Sequence, residues 1–172
     1  MGSIDNTRIE LDMYETIIEN SNIIPTNIIE IGSQNGWDSN RLANRFNIHD
    51  DNVYILEAHP GFYHTITTEY PNYNVYNLAG SDTNGVVTFN AAKNFDDGRS
   101  SFLDRDIYTS KDFIKVDIES TRMDTFLTNH SIDSIDLLKI DVEGATYQVL
   151  NGFGHKLGDI KSIGSRITAV LE

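Results

Sequence analysis

From residue 7 to residue 20, apolar side chains recur at helical spacing. Ile9, Met13 and Ile17, with Leu11 and Ile18 alongside, form a stripe that predicts a helix packed by one face. Past Pro25 the pattern changes. Residues 26–31 are a short β-branched run closed by Gly32, which reads as a buried strand, and residues 38–46 read as a helix with Leu42 and Phe46 four apart. Residues 53–56 are a second apolar strand. Pro60 then suits the first turn of a helix reaching Tyr70, where its missing N–H is not needed. Residues 74–78 and 86–89 predict two further strands, the latter after the turn signal Asp82-Thr83-Asn84-Gly85. Residues 91–112 are polar and weakly periodic, and a segment of that kind in a compact domain is usually functional or mobile. Residues 113–118 read as a strand, 123–129 as a short helix and 135–142 as the clearest strand of the chain. A helix over 145–150 is stopped by Gly152 and Gly154, and a last strand falls at 160–163 or 167–171.

Strands alternating with helices argue for βαβ units and a mainly parallel sheet. Continuous apolar strands, rather than alternating ones, fit a sheet covered on both faces. The expected architecture is therefore α/β: a three-layer, Rossmann-like fold in one domain over residues 1–172, with residues 1–25 as an N-terminal helical segment. Residues 115–120 (Lys-Val-Asp-Ile-Glu-Ser) echo residues 139–144 (Lys-Ile-Asp-Val-Glu-Gly), but the flanks do not match, so the echo reads as two similar strand ends.

At 172 residues the chain is long enough for one domain with a core of its own. Its formal charge of −13, with no local Lys/Arg cluster, repels phosphate backbones, so nucleic acid is not an expected partner. No window approaches a membrane-spanning apolar length, and the first residues lack the basic and apolar regions of a secretory signal, so no membrane partner is expected and the cytoplasm is the default compartment. The absence of cysteine excludes disulfides and thiolate metal sites.

Ligands of open α/β sheets bind beyond the carboxyl ends of the strands, and four chemically loaded segments fall there. In Glu30-Ile31-Gly32-Ser33-Gln34-Asn35-Gly36-Trp37, two glycines allow a sharp turn and a close approach to a ligand. The helix that follows offers N–H groups to an anionic group such as a carboxylate. The spacing is G-x-x-x-G rather than the dinucleotide pattern G-x-G-x-x-G. An acid two residues before the first glycine disfavours a pyrophosphate and favours a cation or an amine. In Leu56-Glu57-Ala58-His59-Pro60, an acid at a strand tip suits the ribose hydroxyls of an adenosine group, each bond to a charged acceptor contributing about 1.5–3 kcal/mol. The small residues of Asn77-Leu78-Ala79-Gly80-Ser81-Asp82 leave room for an adenine ring. Lys139, Asp141 and Glu143 would share one face of an extended strand, and three charges on so apolar a strand suggest a site at its end.

Taken together these segments resemble the FkbM family of methyltransferases. Residues 30–36 stand where that family has its glycine-rich first motif, and residues 56–60 resemble its acid-Pro second motif. Residues 98–102 (Gly-Arg-Ser-Ser-Phe) look like its serine-bearing loop, and residues 123–127 followed by 138–144 are similar to its signature run. The resemblance spans roughly residues 27–163 and implies a class I methyltransferase fold using S-adenosylmethionine, with methyl transfer usually to a hydroxyl oxygen. By position it implies that Glu30, Gly32, Ser33, Asn35 and Gly36 cradle the methionine part and that Glu57, with Ala58 beside it, holds the ribose. Leu78, Ala79 and Ser81 would line the adenine pocket, and Asp141 and Glu143 would face the sulfonium and the acceptor. Two departures stand out. Thr146 occupies a position where the family commonly has glutamate. The chain also stops at Glu172, short of the residues that would complete a seven-stranded sheet, so the last strands are expected to be missing and residues 164–172 to be a truncated or non-native tail.

For a hydroxyl acceptor a general base is needed, and Asp141 and Glu143 are the candidates, with His59 behind them. The acceptor is expected to be a small molecule or a glycan. None of His49, His59, His64, His130 and His155 pairs at i, i+4 on a helix, so no metal site is assigned, although Asp141, Glu143 and Asp117 offer oxygen ligands suited to Mg²⁺. Trp37 is a candidate cation–π contact for a sulfonium. Asp96, Asp97, Arg99, Ser100 and Ser101 lie in the long polar loop, where they could close over substrate. Rival readings are a domain that keeps a nucleoside pocket without catalysis, and a nicotinamide-dependent oxidoreductase.

Overall fold

The computed structural model describes residues 6–94, 99–103 and 111–165, the first four of them as backbone. The main sheet has five strands in the order β3-β2-β1-β7-β8: β1 (Ile28–Ile31), β2 (Val53–Leu56), β3 (Asn74–Tyr76), β7 (Ile135–Ile140) and β8 (Ile160–Ser165). Every pairing in it is parallel, so the expected parallel α/β sheet is found. The chain builds outward from β1 to β2 and β3, then crosses back to add β7 and β8 on the other side. The order therefore reverses at β1, where open sheets of this kind bind ligands.

Neighbouring residues of the central strands point to opposite faces, and both faces are buried. Ile29, Leu56 and Leu138 pack under α4 (Met123–Asn129) and α5 (Thr146–Phe153), with Phe126, Val149 and Phe153. Ile28, Ile55 and Leu137 pack under α1 (Asn6–Glu19), α2 (Trp37–Phe46) and α3 (Pro60–Glu69), with Leu42 and Ile66. That is why these strands read as continuous apolar runs.

α1 is where the sequence expectation and the structure part. Leu11, Tyr14 and Ile18 face the sheet, whereas Met13 and Ile17 are about 61% and 60% exposed. The buried face is thus rotated from the predicted stripe, and the acidic flank of the helix lies against α2, where Arg41 pairs with Asp12 and Glu15, and Arg45 with Glu19. The side chain of Ile9 lies outside the described residues.

A second sheet was not foreseen. It has the order β4-β6-β5: β4 (Ala79–Ser81) runs parallel to β6 (Phe113–Arg122), which pairs antiparallel with β5 (Gly85–Ala92). It docks through β4 on α5, where a Cβ on Gly152 would lie 1.9 Å from the Ser81 carbonyl oxygen, so only glycine permits this approach. The last strand falls at β8; the alternative at 167–171 and most of the expected 164–172 tail lie outside the described residues. Among the described residues the main sheet ends at β8, and no helix is long and apolar enough to cross a membrane.

Candidate active site

β1, β2 and β7 end together at one edge of the main sheet because they are parallel neighbours in register. Their following loops, the 78–80 segment entering β4 and the strap at 99–103 enclose a cavity of about 420 Å³. The strap is tied to β5: Asn90 exchanges backbone hydrogen bonds with Ser101, and its side-chain amide donates to the carbonyls of Ser101 and Leu103.

The first loop turns at Gly32, with φ 77°. A Cβ there would sit 2.1 Å from the Asp141 carbonyl oxygen, so glycine is what lets the β1 and β7 loops close on each other. Ser33, Gln34 and Asn35 line the cavity together with Gly32. Gly36 does not. It also has a positive φ, but it faces inward, where a Cβ would come 2.8 Å from the Tyr70 ring, so its expected contact with a ligand is corrected to a packing role.

Glu30 is likewise corrected. It is fully buried below the loop, not on the cavity wall. Its Oε2 accepts from the Ser33 hydroxyl at 2.8 Å and from the Ser39 backbone N–H and hydroxyl at 3.2 and 2.5 Å. Its Oε1 accepts from Lys139 Nζ at 2.8 Å. The carboxylate that sequence reasoning aimed at a cofactor instead shapes the loop and complements the N-terminal turn of α2. Asn35 Oδ1 takes the Trp37 N–H at 3.0 Å, so part of the helix terminus expected to serve an anion is satisfied within the chain.

Lys139 sits directly beside Glu30 in the β1–β7 register and contacts Asp38 Oδ2 at 2.8 Å and Asp141 Oδ2 at 3.9 Å. Burial alone would lower its ammonium, but Glu30, Asp38 and Asp141 outweigh burial and hold it above the usual lysine range. Burial pushes the Glu30 carboxyl up, against the pull of Lys139. Asp38, on the first turn of α2, was missed in the sequence. An acid just after a glycine turn was the available signal.

Glu57 lines the cavity and is about 5% exposed. Its Oε2 accepts backbone N–H groups of Ser33 and Gln34 at 2.9 and 2.8 Å, and its Oε1 accepts that of His59 at 2.7 Å. A carboxylate has about four acceptor positions, so capacity for one further donor remains. Burial raises its proton affinity, opposed by these three N–H groups. Ala58, Ala79 and Gly80 form a small-residue wall, beside apolar surface from Phe62, Leu78, Phe89 and Phe102. Ser81 is not part of this wall: it is buried beneath α5, where its carbonyl meets Gly152, so its expected place beside an adenine is corrected.

Asp141 and Glu143 both line the cavity, but not through strand alternation. β7 ends at Ile140, and Glu143 has φ 43°, so the chain turns there and the shared-face argument fails. His59 is corrected as a reserve base. Its Nδ1 accepts the N–H groups of Gly61 and Phe62 at the start of α3, its Nε2 meets the Ala92 carbonyl at 2.9 Å, and it is absent from the cavity wall. With one ring nitrogen accepting, the other is assigned the proton. Asp117 lies on the exposed side of the second sheet bonded to Thr88, so the Mg²⁺ trio is not assembled; among the described residues no group of three potential ligands is placed to hold a metal. Trp37 lines the cavity with the Arg41 guanidinium 5.6 Å from its ring. Ser100 and Ser101 line it as well, whereas Arg99 stacks over Phe113, and Asp96 and Asp97 lie outside the described residues.

The family model for the methyltransferase FkbM domain matches residues 30–171. The chain belongs to the FkbM methyltransferase family. Among solved structures, this FkbM domain is similar to the crystal structure of methyltransferase FkbM from Methylobacillus flagellatus KT at 2.20 Å resolution. The TM-score is 0.51 at 14% identity, over 78% of this chain and 30% of the other, a likeness of fold. The chain therefore spans about a third of that protein's length. A comparison with curated proteins finds no match.

Proposed function

We propose that this FkbM domain transfers a methyl group from S-adenosylmethionine to a hydroxyl oxygen of a small-molecule or glycan acceptor. One observation carries the reading: Gly32, Glu57 and Asp141, from three strand-end loops, and Ala79, at the start of β4, line a single cavity. Its chemistry fits an adenosyl group. Ala58, Ala79 and Gly80 leave a slot for a planar base, and Leu78 and Phe102 supply apolar surface. Glu57 keeps acceptor capacity for one ribose hydroxyl, a bond to a charged group that contributes about 1.5–3 kcal/mol. The methyl donor brings, when bound, a methyl on a cationic sulfur.

The rest is the work of the chain's own residues. Holding the acceptor oxygen in line with the methyl carbon accounts for about 7–11 kcal/mol of the barrier. Asp141 accepts the hydroxyl proton as the oxygen's electron pair forms the new C–O bond and the C–S bond breaks, with the departing pair left on sulfur. Such base catalysis contributes about 10²–10⁴-fold. Lys139, at 3.9 Å, gives the Asp141 carboxylate a countercharge, and Glu143 on the same loop lines the same cavity.

Calorimetric titration with S-adenosylhomocysteine and, separately, with NAD tests the reading. Binding of S-adenosylhomocysteine with no heat from NAD is expected. NAD binding without S-adenosylhomocysteine binding would overturn it.

A further inference from the structure

His59 stands behind the cavity, about 7% exposed, and is bonded to several of the parts that enclose it. Its backbone N–H donates to Glu57 Oε1 at 2.7 Å, and its Nδ1 accepts the N–H groups of Gly61 and Phe62 at 3.1 and 3.4 Å. Its ring lies 4.5 Å from that of Phe62 and 6.5 Å, edge-on, from that of Phe89, two aromatic residues of the cavity wall. The remaining bond crosses to the second sheet. A carbonyl can only accept, so Nε2 donates its proton to the Ala92 oxygen, 2.9 Å away at the end of β5.

Ala92 is also where the strap is fastened. Its N–H donates to Ser100 Oγ at 3.0 Å, and Ser100, Ser101 and Phe102 line the cavity. A path of three hydrogen bonds thus joins Glu57 to the strap, through His59 and Ala92. Asn90 holds the strap to β5 as well, but those bonds lie within the second sheet and by themselves leave its distance from Glu57 open.

We propose that His59 is a positioning residue of the donor site: through the Ala92 carbonyl it holds the strap at a fixed distance from Glu57, so the walls are set before a ligand enters. This rests on the reading that the cavity holds the methyl donor. A wall ordered beforehand costs binding less than one that the ligand must order itself. Burial adds to the effect. Ala92 is about 3% exposed, and a hydrogen bond away from water is both stronger and harder to replace.

A histidine that only capped α3 would make the same bonds to Gly61 and Phe62, and two variants separate the roles. Asparagine in this place sets a carbonyl where Nδ1 stands and is among the best helix caps, but it ends short of Ala92. Glutamine is longer. Its amide reaches where Nε2 stands and can donate to Ala92, while the cap is lost.

The test is amide hydrogen exchange on the full chain without ligand, followed by calorimetry with S-adenosylhomocysteine. His59→Asn should speed exchange at Ser101 and Leu103 about three- to tenfold, the weight of one hydrogen bond, and leave Gly61 and Phe62 as in the parent. It should weaken S-adenosylhomocysteine binding by a similar factor. His59→Gln should do the reverse, with faster exchange at Gly61 and Phe62 and with the strap and the affinity within about twofold of the parent. Ser100→Ala cuts the same path at a half-buried residue of the strap, and should speed exchange at Ser101 and Leu103 even if His59→Asn fails to fold. Strap exchange unchanged in His59→Asn or Ser100→Ala, or a strap loosened more by glutamine than by asparagine, would overturn the positioning role. So would an unchanged affinity in His59→Asn once the strap is freed. A parent chain that does not bind S-adenosylhomocysteine, with the strap responding as expected, would overturn the donor reading and leave the link between Glu57 and the strap standing.

Discussion

Lys139 shows how one side chain's chemistry depends on a neighbour far away in sequence: it pairs with Glu30 as well as approaching Asp141, two residues on. Asp141→Asn keeps the size of the carboxylate and removes its ability to take a proton. Methyl transfer from radiolabelled S-adenosylmethionine should fall about 10²–10⁴-fold, while calorimetric affinity for S-adenosylhomocysteine changes by less than about threefold. Equal loss of both would refute the assignment of the base. Lys139→Met tests the floor of the site. It strands Glu30, which is 0% exposed, beside Asp38 with no cation, and removing one partner of a buried pair costs about 3–5 kcal/mol. Without Lys139 the folded state holds Glu30 even more readily protonated than the unfolded chain does, so folding takes up protons and stability falls as pH rises. Urea denaturation should therefore show a larger deficit for the variant at about pH 8 than at about pH 5; a deficit independent of pH would contradict the buried pairing. At this scale the sequence was legible for residue type and not for partner. Glu30 and Lys139 were both marked as charges at strand ends, yet only the β1–β7 register shows that they neutralise each other. His59 and Ser81 were misplaced for a similar reason: a histidine before proline and a serine after glycine can each serve a ligand or the backbone, and local sequence does not say which.

The elements divide by how they are buried. β1, β2 and β7 were readable because two covered faces demand unbroken apolar runs. β4 was not, since Ala79-Gly80-Ser81 carries no apolar signal and is a strand only through its pairing with β6. The far half of β6 was hidden too: Glu119, Thr121 and Arg122 are partly or fully exposed on a strand that covers little core. Asp136 shows how the main sheet is fastened at its other end. Its side chain, about 2% exposed, accepts from the Thr26 N–H and hydroxyl at 2.6 and 2.7 Å and from Lys161 Nζ at 2.6 Å. The carboxylate thereby ties the entry to β1 and the edge strand β8 onto β7. Burial would raise this carboxyl, but Lys161 and Thr26 outweigh it and hold it below the usual range. A lowered folded value gives stability that is present above the unfolded carboxylate range of about 3.9 and is lost as pH falls through the folded value. Asp136→Asn should therefore cost about 2–4 kcal/mol in urea melts near neutral pH, with the gap to the parent narrowing in acid. A gap that widened in acid would show that the sign is wrong.

At the scale of the whole molecule the cavity is built from segments far apart in sequence, from Ile31 to Glu143. Its walls come from both sheets, three strand-end loops and the strap, and no single segment holds a recognisable part of the site alone. The unfolded chain therefore has nothing with which to bind a nucleoside, and any ligand of the cavity must stabilise the fold by mass action. S-adenosylhomocysteine at a hundred times its dissociation constant should add about 2.7 kcal/mol. In a chain of this length, where 1 kcal/mol moves the midpoint by about 2–4 °C, that corresponds to a rise in Tm of about 5–11 °C. NAD at the same concentration should leave Tm unchanged, because the first loop lacks the glycine spacing for a pyrophosphate. The stabilisation should also be spread through the molecule. Hydrogen exchange should slow in the strap at residues 99–103 and in the β7 loop at residues 141–145 together, although they belong to different sheets. Protection confined to one sheet would mean that the cavity does not act as one site, and the convergence of Gly32, Glu57, Ala79 and Asp141 would then lose its functional meaning.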